Sequence, residues 1–119
     1  MRAAGSLREQ IRFERRIETD DGYGNVTGSW ATLADGIPAA VEPARGSEQV
    51  LAGKLTGLTP AIITIRWQPD LAEGADRLTP ADRVVNSRTG DPYDLKAIEA
   101  DPRRRWITIY AEAGGADGY

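Results

Sequence analysis

Hydrophobic residues in this chain recur at every second position rather than every third or fourth, and that spacing confines most of it to strands. Between Pro60 and Pro69, Ile63, Ile65 and Trp67 fall on one side of an extended chain and Ile62, Thr64 and Arg66 on the other. Over residues 11–19, Ile11, Phe13 and Ile17 share a face that Arg15 interrupts, opposite Arg12, Glu14, Arg16 and Glu18. Residues 105–112 repeat the pattern, with Ile107, Ile109 and Ala111 opposite Trp106, Thr108 and Tyr110. Residues 82–86, with Arg83-Val84-Val85, and residues 93–100 read as two more strands, joined by a turn over residues 87–92. The dense turn signal of residues 20–25 separates the first strand from an extended run holding Trp30, Thr32 and Leu33, which predicts a hairpin with a longer loop. Residues 37–42 make a further strand ending at Pro43.

Two connections break the alternation. In residues 44–58, Leu51, Leu55 and Leu58 stand at i, i+4 and i+7 with Ser47 placed to cap them, the spacing of a short amphipathic helix or helical turn. Gly46, Gly53 and Gly57 oppose it, at ~1 kcal/mol each in a helix interior. Connections longer than about 12 residues inside a compact domain are usually functional or mobile. Residues 70–80 are polar and turn-rich, with Leu71 and Leu78 as apolar anchors. The glycine-rich stretch over residues 113–119 has nothing of its own to order it and reads as a flexible tail. The expectation is an all-β fold: one domain over residues 1–119, a small antiparallel barrel or sandwich of about six or seven strands, interrupted by one long loop at about 44–59.

Composition then narrows the chemistry. The 119 residues include no Cys and no His, which removes disulfides, Cys/His zinc sites, thiolate nucleophiles and any triad built on imidazole. A carboxylate enzyme using Asp91, Asp94 and Glu99 is the remaining catalytic option, but Asp94 and Glu99 have opposite parity on a strand and face apart unless a bulge intervenes. Residues 20–25 are oxygen-rich yet lack the spaced ligands and terminal Glu of a calcium loop, so turn chemistry accounts for them. The reading is therefore no enzyme, with no catalytic residues, metal or cofactor. Apolar stretches as short as Ala61 to Ile63 cannot span a membrane, and residues 1–6 lack the apolar centre of a signal peptide, so a cytosolic chain is expected.

A formal charge of −3 argues against tight non-specific binding to nucleic acid. Arg8, Arg12, Arg15 and Arg16, and the triplet Arg103, Arg104 and Arg105, read as solvated faces or as the charged rim of a partner interface. Trp67 and Trp106 alternate with isoleucines, so one side of each strand is buried, whereas Trp30, beside Gly28 and Ser29, lies nearer the surface.

The order of these pieces carries a resemblance. Leu7-Arg8 precedes Ile11-Arg12-Phe13; Asp21-Gly22-Tyr23-Gly24 is followed by Ser29-Trp30; Val41-Glu42-Pro43 leads into the long polar loop with Gly46 and Ser47. Then come Thr64-Ile65-Arg66-Trp67, Arg83-Val84-Val85, Tyr93-Asp94-Leu95 and Arg103-Arg104-Arg105 ahead of the last strand. Over residues 7–112 this resembles the head-closure, or head-tail joining, proteins of tailed bacteriophages and prophage particles. The turn over residues 86–92 is longer than the tight hairpin usual in that family, and the tail extends beyond it.

The resemblance implies a small β-barrel in a homo-oligomeric ring of six or twelve copies at the virion neck, assembled from the bacterial host cytoplasm. Its partners would be the portal and adaptor rings above and a tail terminator or tail-completion protein below. Packaged double-stranded DNA would pass through the channel without sequence-specific contact, and no membrane is involved. In some members the loop after the third strand plugs the channel. Here that loop would present Arg45, Ser47, Glu48, Val50, Leu51, Lys54, Leu55 and Leu58, as plug or as inter-subunit contact. Leu51, Leu55 and Leu58 equally suit a lid on the barrel core. Trp30, Arg103, Arg104 and Arg105 are candidates for contact with a partner ring, and the strand edges at 37–42 and 82–86 for contact between copies. The competing reading, a monomeric barrel that binds a peptide or oligosaccharide, requires an aromatic-lined groove.

Overall fold

The computed structural model describes residues 7–43 and 59–113. Six antiparallel strands form a closed barrel: β1 (Glu9–Asp20), β2 (Val26–Pro43), β3 (Thr59–Arg66), β4 (Arg83–Asn86), β5 (Pro92–Ala100) and β6 (Trp106–Ala113). Around the barrel the order is β1-β2-β3-β6-β5-β4, with β4 returning to β1. A single helical turn, α1 (Pro69–Ala72), follows β3. The expected loop at 44–59, apart from Thr59, and the expected tail from residue 114 lie outside the described residues.

The alternating faces sort as the sequence pattern requires. Ile11 and Phe13 of β1, Ile37 and Ala39 of β2, Ile63 and Ile65 of β3, Val84 of β4, Leu95 of β5 and Ile107, Ile109 and Ala111 of β6 fill the interior. Leu71 and Leu78, the anchors expected in the 70–80 connection, are buried against the same cluster. Backbone bonds from the Leu78 amide to the Leu71 carbonyl (2.9 Å) and from the Trp67 amide to the Arg105 carbonyl (2.9 Å) hold that connection across one end of the barrel.

Three departures from the simple alternation shape the molecule. The runs around Trp30 and over residues 37–42 are one strand, because the break at Asp35-Gly36 is a bulge and not a turn. Ile11 faces Ile37 and Phe13 faces Ala34, so two β2 residues oppose Arg12. Gly36 takes φ +65°, the left-handed conformation a bulge glycine supplies, and its amide donates to the Asp35 carboxylate at 2.7 Å. A second shift, between Phe13/Ala34 and Glu14/Thr32, adds to the bend. The third, between Leu95 and Ala97 of β5, puts Asp94 (opposite Glu112) and Glu99 (opposite Thr108) on the same outer wall. The opposite faces expected from their parity are thus corrected by the bulge at Lys96. The two carboxylates remain separated along β5 by outward-facing Ala97, and Glu99 accepts from the Tyr110 hydroxyl at 3.3 Å.

Barrel closure overturns the expected free edges. β4 is paired with β1 through residues 83–86 and with β5 through 83–85. On β2, residues 37–39 pair with β1 and 39–43 with β3. Neither strand is a sheet edge, because β1, the first in sequence, returns to meet β4; residues 83–85 are paired on both sides, whereas within 37–42 only Ala39 is.

Candidate functional site

A barrel filled by side chains has no lumen to bind in, so function falls to its two ends and outer wall. One end gathers residue 43, residue 59 and the β4–β5 turn. The 44–58 connection leaves and re-enters here beside a shallow concavity formed by Glu9, Val41, Glu42, Pro60, Arg88 and Tyr93. The turn is tightly built: buried Asn86 accepts from the Arg88 amide on its side-chain oxygen (2.9 Å) and from the Gly90 amide on its carbonyl (2.7 Å). Arg88 forks onto the Glu9 carboxylate, tying the turn to the start of β1 and holding Glu9 below the usual carboxylate range. Burial pushes the Tyr93 hydroxyl up, and the Asp91 and Glu9 carboxylates push the same way.

At the other end stand the β1–β2 hairpin, the 67–82 connection and the β5–β6 turn. β1 pairs with β4 only as far as Glu14, and β2 pairs with β3 only from Ala39. Beyond those points the two strands continue together, from the Arg15/Ala31 pair to Asp20/Val26, as a two-stranded arm. Its base is clamped from both faces. On the inner side Arg15, the residue that interrupts the apolar face, donates from Nε (2.9 Å) and Nη2 (3.1 Å) to fully buried Asp82, and from Nη2 to the Arg77 carbonyl (2.9 Å). Asp82 also accepts from the Thr79 amide at 2.9 Å. On the outer side Glu14 accepts from Arg12 Nε (2.7 Å) and Arg83 Nε (2.8 Å), and the Arg83 guanidinium lies 4.1 Å from the centre of the Trp30 ring. Arg16 crosses Gly28 so closely that a Cβ there would stand 2.6 Å from its guanidinium, so a larger residue at 28 would shift the end of the Arg16 side chain.

The sequence pattern assigned Glu14 to a solvated face; it is 6% exposed, because Arg12 and Arg83 cover it. Alternation states which wall a residue is on and is silent about what else lies on that wall. The half-buried Trp30 belongs to this same cluster under Arg83, so of the four residues expected to meet a partner ring it is the arginines that face outward. Arg103, Arg104 and Arg105 form the exposed β5–β6 turn, built on Asp101: its Oδ1 accepts from the Arg103 amide (3.0 Å), its carbonyl from the Arg104 amide (2.9 Å) and its Oδ2 from Arg105 Nε (3.1 Å). Arg104 adopts φ +58° and reaches Glu73 at 3.7 Å.

Two exposed turns share one electrostatic device. The Arg103 amide, with help from the Arg105 guanidinium, holds Asp101 below its ordinary 3.8, and the Tyr23 amide and Asn25 side chain do the same for Asp21 at the tip of the arm. A lowered folded-state value stabilises the turn above pH 3.8 and the effect is lost as pH falls through the lowered value. In a pH titration followed by amide NMR, the Tyr23 and Arg103 signals should therefore move with midpoints below 3.8. A midpoint at or above 3.8 would contradict these hydrogen bonds.

No group of His, Cys, Asp or Glu among the described residues could hold a metal ion. No helix of the described residues is long and apolar enough to cross a membrane. The concavity at the loop end has Tyr93 as its one aromatic lining residue, and a second, between Thr32, Leu33 and residues 70–76, has none, so neither offers the aromatic platform of a peptide- or sugar-binding module.

Comparison with known proteins fits this picture of a structural barrel. No curated protein sequence matches the chain significantly. A chain in the solved structure of the virion of a native gene transfer agent (GTA) particle shares the fold, with a TM-score of 0.60, 22% identity, and coverage of 90% of this chain and 94% of that one. The phage head completion protein family matches residues 2–114, nearly the whole length. The chain therefore belongs to the phage head completion protein family, as a structural component of a phage-like particle.

Proposed function

We propose that this protein is a head-closure connector: one barrel domain, repeated in a ring of six or twelve copies at the neck of the particle, that retains packaged DNA below the portal and adaptor and presents a surface to the tail. The observation that carries the reading beyond the family is the connection between β2 and β3. These strands are antiparallel neighbours whose ends already face one another, Pro43 against Ala61. A two-residue turn would join such strands, yet residues 44–58 intervene. Chain that topology does not need is kept for another purpose, and this segment's sparse charge, with Arg45 and Lys54 against Glu48, suits a channel that must hold DNA and later let it pass. Ser47 and the apolar Val50, Leu51, Leu55 and Leu58 complete the plug, packing against neighbouring copies. Arg103, Arg104 and Arg105 face a partner ring from the opposite end, and Trp30, under Arg83 on the outer wall, contributes to the same contact.

The GTA chain of similar fold is part of a virion, and together with the family match this supports placing the present chain in a phage-like particle. Deleting the gene in the source strain and viewing lysates by electron microscopy tests the reading. Free tails beside tailless heads that have lost their DNA, restored by complementation, are the expected result. Intact tailed particles in the deletion strain would refute it.

A further inference from the structure

We propose that the β1–β2 arm is the donor half of the contact between copies, and that its acceptor is the β5–β6 hairpin of the next copy in the ring. This rests on the ring reading above.

The first observation is where apolar surface is left uncovered. Ile17 (45% exposed), Tyr23 (89%) and Val26 (60%) are the large hydrophobics exposed among the described residues, and all three lie on the arm. One face of the arm past Arg15 carries no charge: Ile17 and Thr19 of β1 lie beside Ser29 and Thr27 of β2. A two-stranded ribbon is marginally stable alone in water, and an uncharged, β-branched face on it marks a surface that gets covered.

The second observation names an edge the arm can join. β5 outruns β4: Arg83–Val85 pair only with residues 92–94, so among the described residues 96–100 have β6 on one side and no strand on the other. Lys96, Ala97, Glu99 and Ala100 there are exposed. An arm edge laid along this stretch would extend the sheet by strand addition. A chain's own arm is kept from its own β5 by the 67–82 connection, to which Arg15 is tied through Asp82 and Arg77. The partner edge must come from another copy.

Charge gives the third. Residues 17–29 contain Glu18, Asp20 and Asp21 and no Lys or Arg, whereas the turn closing the acceptor hairpin carries Arg103, Arg104 and Arg105 against Asp101. Donor and acceptor are different surfaces of one chain, the heterologous geometry that closes into a ring, and opposite charge sets which end of the arm lies against the turn.

The chain has no native cysteine among its residues, so Tyr23→Cys and Arg103→Cys can be introduced together and particles carrying this double variant treated with a short bismaleimide. A ladder of multiples of this chain, absent from either single variant, is expected. Chain present in particles but uncrosslinked, or crosslinked to a different protein, overturns the proposal and leaves the connector reading standing. Chain absent from wild-type particles removes both. As an independent arm of the test, Glu18→Lys with Asp20→Lys should lower incorporation into particles about tenfold, and adding Arg103→Glu with Arg104→Glu should restore it. Undiminished incorporation of the first pair, or no recovery with the second, would also overturn the assignment, provided the melting curves of the purified variants match that of the parent chain.

Discussion

Particles built with residues 46–58 replaced by Asn-Gly are expected to contain the chain at its normal level and to lose their DNA. The barrel is expected to tolerate the change: Pro43 stands opposite Ala61, and extending that register by two residues in the variant would leave Asn-Gly to close a two-residue hairpin. Among the described residues the core draws its side chains from the strands and from Leu71 and Leu78, and the purified variant is expected to melt cooperatively near the parent temperature. A milder version, Leu51→Ser with Leu55→Ser, keeps the length and removes the apolar stripe, and should leak DNA to a lesser degree. Normal DNA retention in particles carrying the shortened chain would remove the plug role of this segment without touching the connector reading. A shortened chain that fails to fold would instead assign Leu51, Leu55 and Leu58 to a lid on the core.

Phe13→Ala should produce the largest loss of stability, about 3–5 kcal/mol, lowering the melting temperature by roughly 10–20 °C. Phe13 is fully buried and sits where the barrel closes, opposite Ala34 on one side and Val84 on the other, between the two irregularities of β2. The bulged backbone fixes the positions of its neighbours, so the cavity has little means of collapsing. Ile17→Ala makes the informative contrast. It lies on the same strand and the same alternating face, yet it is 45% exposed on the arm, and truncation there should cost less than about 1 kcal/mol in thermal or urea unfolding. A comparable loss at both positions would mean that the arm is part of the core and not an appendage.

That pair also shows what could be read from the chain alone. Spacing puts Ile11, Phe13 and Ile17 on one face, and they do share it; what spacing cannot express is where along β1 the neighbouring strands stop. The extent of a barrel wall is set by long-range pairing, here β1 with β4 some seventy residues away, and no local pattern encodes it. Bulges hid in the same manner. Asp35-Gly36 carries the composition of a turn, and only the continued pairing of β2 with β1 on both sides shows it to be a kink within one strand. The strands around Ile63, Val84 and Ile109 and the anchors Leu71 and Leu78 were legible because burial on one face is a local property of a short segment.

The site was legible unevenly. Arg103–Arg105 stand exposed at a turn, consistent with the triplet's place before the last strand, but that they share an end of the barrel with the arm is a matter of topology. The arm's sequence signal is the run from Glu18 to Ser29, acidic and free of cations around an exposed Tyr23, a composition it shares with an ordinary hairpin turn. The ion pairs of Glu14 and Asp82 had no sequence signal beyond arginines nearby, since their burial depends on strands and loops folding over them.

The central claim is a position, so the most direct measurement is a cryo-electron microscopy reconstruction of the particle neck, computed without imposing the symmetry of the head. The account predicts a single ring of these barrels between head and tail, with density entering the channel from the β2–β3 end. Copies distributed over the head shell, or a neck complete without this chain, would contradict it.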